Sequence, residues 1–322
     1  MNQKVTLVGL VEAACALILF GTIAGFLGSV SWVLELFDHF RLHYLIGAVV
    51  LGGGAWWLSR HRWALVCLVI ALINLYLCPS VWPSGGVALQ GSGETAHVRV
   101  ATINVHTSNR NHADALQMIR DESPDVLLLL EVDAFWWVGL SELLDDYRVL
   151  GVNLRSDNFG IAMLVKPEFT GPGRIFYPGQ FGLPAIQATL SSTNGATFDV
   201  IGIHPTPPAS LEYRNENRRI LREVAGMVKE LTHPVILLGD LNTTPWSGSF
   251  RRLLDETGLV DTARNHGYLA TWPTLAAPIL RIPLDHCLVT PNIQVEKRWL
   301  GAHVGSDHLP LLVDLHIPIT AP

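Results

Sequence analysis

Between residues 5 and 79 only six side chains carry a charge, Glu12, Glu35, Asp38, Arg41, Arg60 and Arg62, and long apolar runs lie between them. A chain that begins this way must remove those runs from water, in a bilayer or in a core. Three apolar stretches can be drawn, within residues 5–34, 42–58 and 63–79. The two shorter ones reach ~25 Å as helices against a hydrocarbon core of ~30 Å, so they need help from their flanks. Trp56, Trp57 and Trp63 crowd one boundary, and Tyr76 and Trp82 the other, as interfacial aromatic belts do. The reading is three transmembrane helices in residues 1–79. The competing reading makes two of these stretches buried helices of a soluble domain. A cleavable signal peptide is excluded by the length of the first stretch and the two that follow it. Glu12 would cost ~3 kcal/mol at mid-bilayer, which places it near an interface. Lys4, Arg60 and Arg62 flank one side of the spans and only Arg41 the other. By the preference of cations for the cytoplasmic side, the rest of a multi-pass inner-membrane protein then lies outside the cytoplasm.

Residues 80–97 contain Pro83, Gly85, Gly86, Gly91, Ser92 and Gly93 with little apolar periodicity, the pattern of a linker. Beyond it, short apolar runs alternate with amphipathic segments. Strands are expected at 97–105, 126–130, 160–165, 185–190, 198–203, 235–238, 284–289 and 311–316, and helices at 113–120 and 211–231. Residues 98–322 thus form one mixed α/β domain. From Val98 onward 18 Lys and Arg face 24 Asp and Glu, so this domain carries the whole net charge of −6. An acidic domain without a basic run argues against a protein that grips long nucleic acid by its phosphates, though it does not exclude a nuclease. Cys15, Cys67 and Cys78 lie in apolar segments and Cys287 is alone, which supports neither a disulfide framework nor a zinc cage.

Several strand candidates end abruptly in polar residues: Asn104, Glu131, His204, Asp240 with Asn242, and Asp285 with His286, followed by the loop Gly305-Ser306-Asp307-His308. Side chains at strand ends can converge in one cleft while the strands themselves are buried. Hard oxygen donors of this kind suit Mg²⁺ or Mn²⁺, which keep waters for a substrate phosphate to replace.

The ordered set resembles the endonuclease/exonuclease/phosphatase superfamily: an early Asn104, the strand-end Glu131, His204 before a proline, Gly239-Asp240-Leu241-Asn242, Asp285-His286, and Ser306-Asp307-His308-Leu309-Pro310. With the apolar N-terminus it is similar to membrane-anchored bacterial members. The resemblance implies a DNase I-like four-layer α/β/β/α sandwich and metal-dependent phosphoester hydrolysis by an activated water. It implies Glu131 and Asn104 as metal ligands with Asp307 as a further contact, and Asp240 and Asn242 orienting water and phosphate. It also implies His308 as a base oriented by Asp285, and His204 on the phosphate oxygens. His286, Trp272 and His303 are weaker candidates. Leu130 stands where many members have Gln, and His106 where the family's nucleases often carry an acid; both count against a DNA-repair specificity more than against the chemistry. The substrate is lipid-linked, small-molecule or nucleic acid, with the bilayer as the other partner. A nuclease, or an inactive binding module of the same fold, are the alternatives. Since every candidate residue follows Val98, neither folding nor chemistry is expected to need the spans. If they do contribute, the apolar loop 31–43 is the segment to reach the site.

Overall fold

The computed structural model describes residues 6–78 and 94–319. Of the linker expected at residues 80–97, residues 80–93 lie outside the described residues, together with Trp82. Helix α1 (Leu7–Phe26) starts at Thr6, whose side chain accepts from the Gly9 N–H. A one-turn helix α2 (Trp32–Glu35) and a 3-10 turn (Leu36–Phe40) lead into α3 (Arg41–Trp57), which forms an antiparallel hairpin with α4 (His61–Leu77). Cys15, Ala48, Cys67 and Ile70 make the small core among α1, α3 and α4. Elsewhere these helices expose large apolar side chains, among them Leu17, Val50, Leu65 and Leu72.

The expectation of three spans is corrected. Among the described residues only α1, at 20 residues, is long and apolar enough to cross a membrane. Helices α3 and α4 have 17 residues each. The first turn of α3 is polar: Arg41 is buried there, its Nε donating to Asp38 Oδ1 (2.7 Å) and its NH1 to the Thr22 carbonyl (3.0 Å). The hairpin also stops short of the start of α1, because Arg60 at its turn pairs with Glu12 (2.6 Å), five residues inside that helix.

The second part runs β1 (Thr95–Asn104), α5 (His112–Glu122), β2 (Val126–Leu130), α6 (Ala134–Gly139), β3 (Arg148–Asn153), β4 (Ile161–Val165), β5 (Phe169–Thr170), β6 (Gly173–Phe176), β7 (Ala185–Ser192), β8 (Thr197–Gly202), α7 (Leu211–Glu230), β9 (Val235–Asp240), α8 (Gly248–Thr257), β10 (Val260–Asp261), β11 (Asp285–Val289), β12 (Gln294–Leu300) and β13 (Leu311–Pro318). One sheet has the order β12-β13-β1-β2-β4-β3, the other β10-β11-β9-β8-β7-β5 with β6 beside β7. Three cores show the layering. Val100, Leu128, Val200 and Leu238 meet between the sheets. Their strand neighbours turn outward: Ala101, Ile103, Leu127 and Leu129 pack under α5 and α6, and Ile201 and Leu237 under α7 and α8. Strands buried on both faces read as unbroken apolar runs, which is why β2 is Val-Leu-Leu-Leu-Leu. Strand β1 begins at Thr95, inside the stretch expected as linker.

The two parts touch. Leu42, Leu45 and Cys78 bury Trp246, and His39 Nδ1 lies 3.2 Å from Thr244 Oγ1. Arg218 pairs with Glu35 (2.8 Å), and Arg214 NH1 donates to the Gly28 carbonyl (3.1 Å).

Candidate active site

Each sheet contains one parallel pair, β1–β2 crossed over by α5 and β8–β9 crossed over by α7. Parallel strands end on the same side, so Asn104 and Glu131 finish one pair, and His204 and Asp240 the other. The antiparallel neighbours deliver the remaining groups to that edge: β11 starts with Asp285 opposite Asp240, and His308 precedes β13, which begins beside Thr102 of β1.

Asn104 links the two sheets, its Nδ2 donating to Glu131 Oε1 (3.0 Å) and Asp240 Oδ2 (3.3 Å). The Thr107 N–H donates to Glu131 Oε2 (3.1 Å) and the Thr107 hydroxyl to the Glu131 carbonyl (3.0 Å). His308 Nδ1 lies 2.8 Å from Asp285 Oδ2, while its Nε2 lies 3.5 Å from Asp240 Oδ2. His204 Nε2 is also 3.5 Å from that oxygen. Asn242 donates its N–H to Asp240 Oδ1 (2.9 Å) and its side-chain N–H to the Pro205 carbonyl (3.0 Å), tying the His204 loop to the site. Glu131, Asn242 and His106 have φ of 62°, 50° and 60°, a left-handed backbone uncommon outside glycine and found where a site re-aims its side chains. Gly239 is required: at φ 148° an added Cβ would lie 1.9 Å from the Ile203 carbonyl oxygen.

Burial raises the Asp240 carboxyl, but the adjacent His308 and His204 outweigh it and bring its pKa down to about 2. Burial also pulls His308 down, against Asp285 and Asp240, which together push it up to about 10. His204 is shifted upward because Asp240 outweighs its burial.

Eight expected residues therefore converge: Asn104, Glu131, His204, Asp240, Asn242, Asp285, Asp307 and His308. Asp307 stands apart from the dyad, held by His106 Nδ1 (2.8 Å) and by the Trp272 indole N–H (3.1 Å). His286 does not join them; its Nε2 lies 2.8 Å from the Thr243 carbonyl and its ring packs on Phe250. His303 is an exposed residue whose ring accepts from the Gly305 N–H. Thr107 and the anchoring role of His106 escape sequence reasoning, because the first acts through its backbone and the second through a loop contact. The cavity over these groups, about 720 Å³, is walled on one side by Trp32, Leu36, His39 and Phe40 from the N-terminal part.

Two facing mixed sheets with helices outside, and polar residues gathered at their common edge, define a DNase I-like sandwich. Residues 101–308 match the profile of the endonuclease/exonuclease/phosphatase family, and the chain belongs to that family. No curated protein sequence matches it. Among solved structures it is similar to an endonuclease/exonuclease/phosphatase from Bacteroides vulgatus (19% identity, TM-score 0.58, 69% of this chain and 99% of that one). It is likewise similar to D. rerio TDP2 complexed with a single-strand DNA product (17%, 0.55, 68% and 99%). A third is the mannosyl-6-phosphatase of Bacteroides thetaiotaomicron (17%, 0.52, 68% and 99%). These likenesses establish the fold; members of the family are phosphoester hydrolases that generally use divalent metal ions.

Proposed function

We propose that this chain is a membrane-anchored phosphoester hydrolase that uses Mg²⁺ or Mn²⁺ and an activated water. The observation that carries this reading is the His308–Asp285 pair (2.8 Å) facing Asp240, with Glu131 and Asn104 at the same edge. The donor set fits a hard divalent cation: carboxylates and amides converge with no thiolate among the described residues of this edge, and beside them ligand atoms of Asp240, Asp285 and His308 lie within 4.8 Å of one another. Glu131 and Asn104 would hold it, with Asp307 as a further contact. Such an ion, when bound, polarises a phosphoryl oxygen and offsets the carboxylate charge that keeps His308 protonated. Asp285 fixes the His308 ring so that Nε2 faces the cavity as the proton acceptor for water. Asp240 and Asn242 orient water and phosphate, and His204, whose pKa Asp240 shifts upward, donates to phosphate oxygens.

Helix α1 is the anchor in this reading, with the α3–α4 hairpin packed along it. In the sequence Lys4 precedes α1, and the sandwich docks against residues beyond the other end of that helix; the preference of cations for the cytoplasmic side then puts the sandwich outside the cytoplasm. Purified full-length protein in detergent should hydrolyse a p-nitrophenyl phosphodiester or monoester with Mg²⁺ or Mn²⁺, lose that activity in EDTA, and regain it on re-addition. Glu131→Ala should lower turnover by about 10³-fold or more. Full activity in EDTA would remove the metal from the assignment.

A further inference from the structure

Beside the polar groups of the site, the cavity has apolar walls that come from both parts of the chain: Trp32, Leu36 and Phe40, with His39 among them, from α2 and the following turn, and Phe159, Pro208 and Ile282 from the sandwich. At about 720 Å³ the space far exceeds the ~30 Å³ of a water and falls in the usual range for a bound small molecule, ~300–1,000 Å³. Among the twenty described residues that line it there is no Lys or Arg, while Glu131, Asp157, Asp240 and Asp307 bring four carboxylates. A strand of nucleic acid would find no cation there for any phosphate beyond the one at the site.

The mouth of the cavity adjoins the apolar helices. The α2 segment is the direct connection from α1 to α3. Trp272 and Ile282, which line the cavity, pair across the base of a protruding loop, and that loop exposes Leu275, Ile279 and Leu280 by 96%, 63% and 58%. The same loop meets His43, in the first turn of α3, through the backbone of Ile279 and Leu280. Exposed apolar side chains at such a rim, beside the segment that joins α1 to α3, are placed to enter a leaflet.

We infer that the phosphoester this site cleaves has a long apolar alcohol part, a lipid-class substrate whose chain lies against Trp32, Leu36 and Phe40 while its phosphate reaches the polar groups of the site. This rests on the phosphoester hydrolase reading above and names its substrate class. The N-terminal part is then a wall of the binding site as well as an anchor, and the protruding loop holds the mouth at the bilayer surface.

The test uses the full chain in detergent with p-nitrophenyl phosphodiesters that differ only in an ethyl or dodecyl group, the corresponding alkyl monophosphates, and a short single-stranded oligonucleotide. The dodecyl member of one series should be preferred by about 100-fold or more in kcat/KM. Trp32→Ser with Phe40→Ser should reduce that dodecyl-to-ethyl ratio by about tenfold; because all proteins share the same micelles, substrate partitioning cancels in the comparison. Should the double variant not fold, Ile279→Ser with Leu280→Ser, both on the exposed loop, should also reduce the ratio. Equal kcat/KM for both chain lengths, a ratio unmoved by substitution, or faster cleavage of the oligonucleotide would overturn the lipid assignment and leave the hydrolase reading standing. If no ester and no oligonucleotide is hydrolysed with either metal, the hydrolase reading falls and this one with it.

Discussion

His308 is buried between two carboxylates, one at its Nδ1 and one near its Nε2, and this placement governs what its substitution does. In the proposed mechanism Asp285 acts only through the ring it orients, so the two residues are one unit. His308→Ala and Asp285→Asn should each lower kcat by about 10²–10⁴-fold with little change in KM, and the double variant should be no worse than the poorer single. Defects that multiply would separate the pair. These positions are readable from sequence because each interrupts an apolar run at a strand end. His286 shows where that reading stops: side chains alternate along β11, so the neighbour of Asp285 faces the opposite side and meets Thr243 and Phe250. Thr107 leaves no sequence signal, since a backbone N–H that anchors Glu131 can belong to any residue except proline.

At the scale of elements, the turn after α2 buries His39 with a hydroxyl of Thr244 and, among the described residues, no carboxylate within hydrogen-bonding reach of it. Burial lowers its pKa to about 4. The unfolded chain therefore takes up a proton below the ordinary histidine value of about 6.5 that the folded chain refuses, so stability is unaffected above that pH and declines as pH falls toward about 4. The loss is on the order of 3 kcal/mol, read as a falling melting temperature in full-length protein between pH 7 and 4. His39→Gln should flatten that slope; an unchanged slope would mean the ring is not held neutral at the junction. Among the elements, β2, β9 and α7 were legible from doubly buried runs or helical spacing. Strand β12 was not, because Gln-Val-Glu-Lys-Arg-Trp-Leu at a sheet edge keeps Glu296 and Lys297 exposed and breaks register between Val295 and Lys297. Helix α8 was missed for a similar reason: of its ten residues only Phe250 and Leu253 are buried.

For the whole molecule, two expectations follow from how the parts meet. An alkaline phosphatase fused after Pro322 should be active in a bacterial host; an inactive fusion would put the sandwich in the cytoplasm and bring its nucleic acids forward as substrates. Removing residues 1–93 leaves the three sandwich cores intact but uncovers Trp246, whose burial contributes roughly 2–3 kcal/mol. The truncated protein should melt cooperatively, about 5–10 °C below the full chain in the same detergent. Aggregation without a cooperative transition would show that the sandwich depends on the helices to fold. The sequence by itself determined that this chain has an apolar part followed by a mixed α/β part, and that the second ends its apolar runs in an ordered set of acids, amides and histidines; periodicity and composition are local properties and survive in one dimension. That Asp307 sits apart from the Asp285–His308 pair, and that residues 32–40 wall the cavity around His308, were decided only by the tertiary structure. Those facts are distances between segments far apart in the chain, and the weak dependence of loop closure on length leaves no trace of them in the spacing of residues.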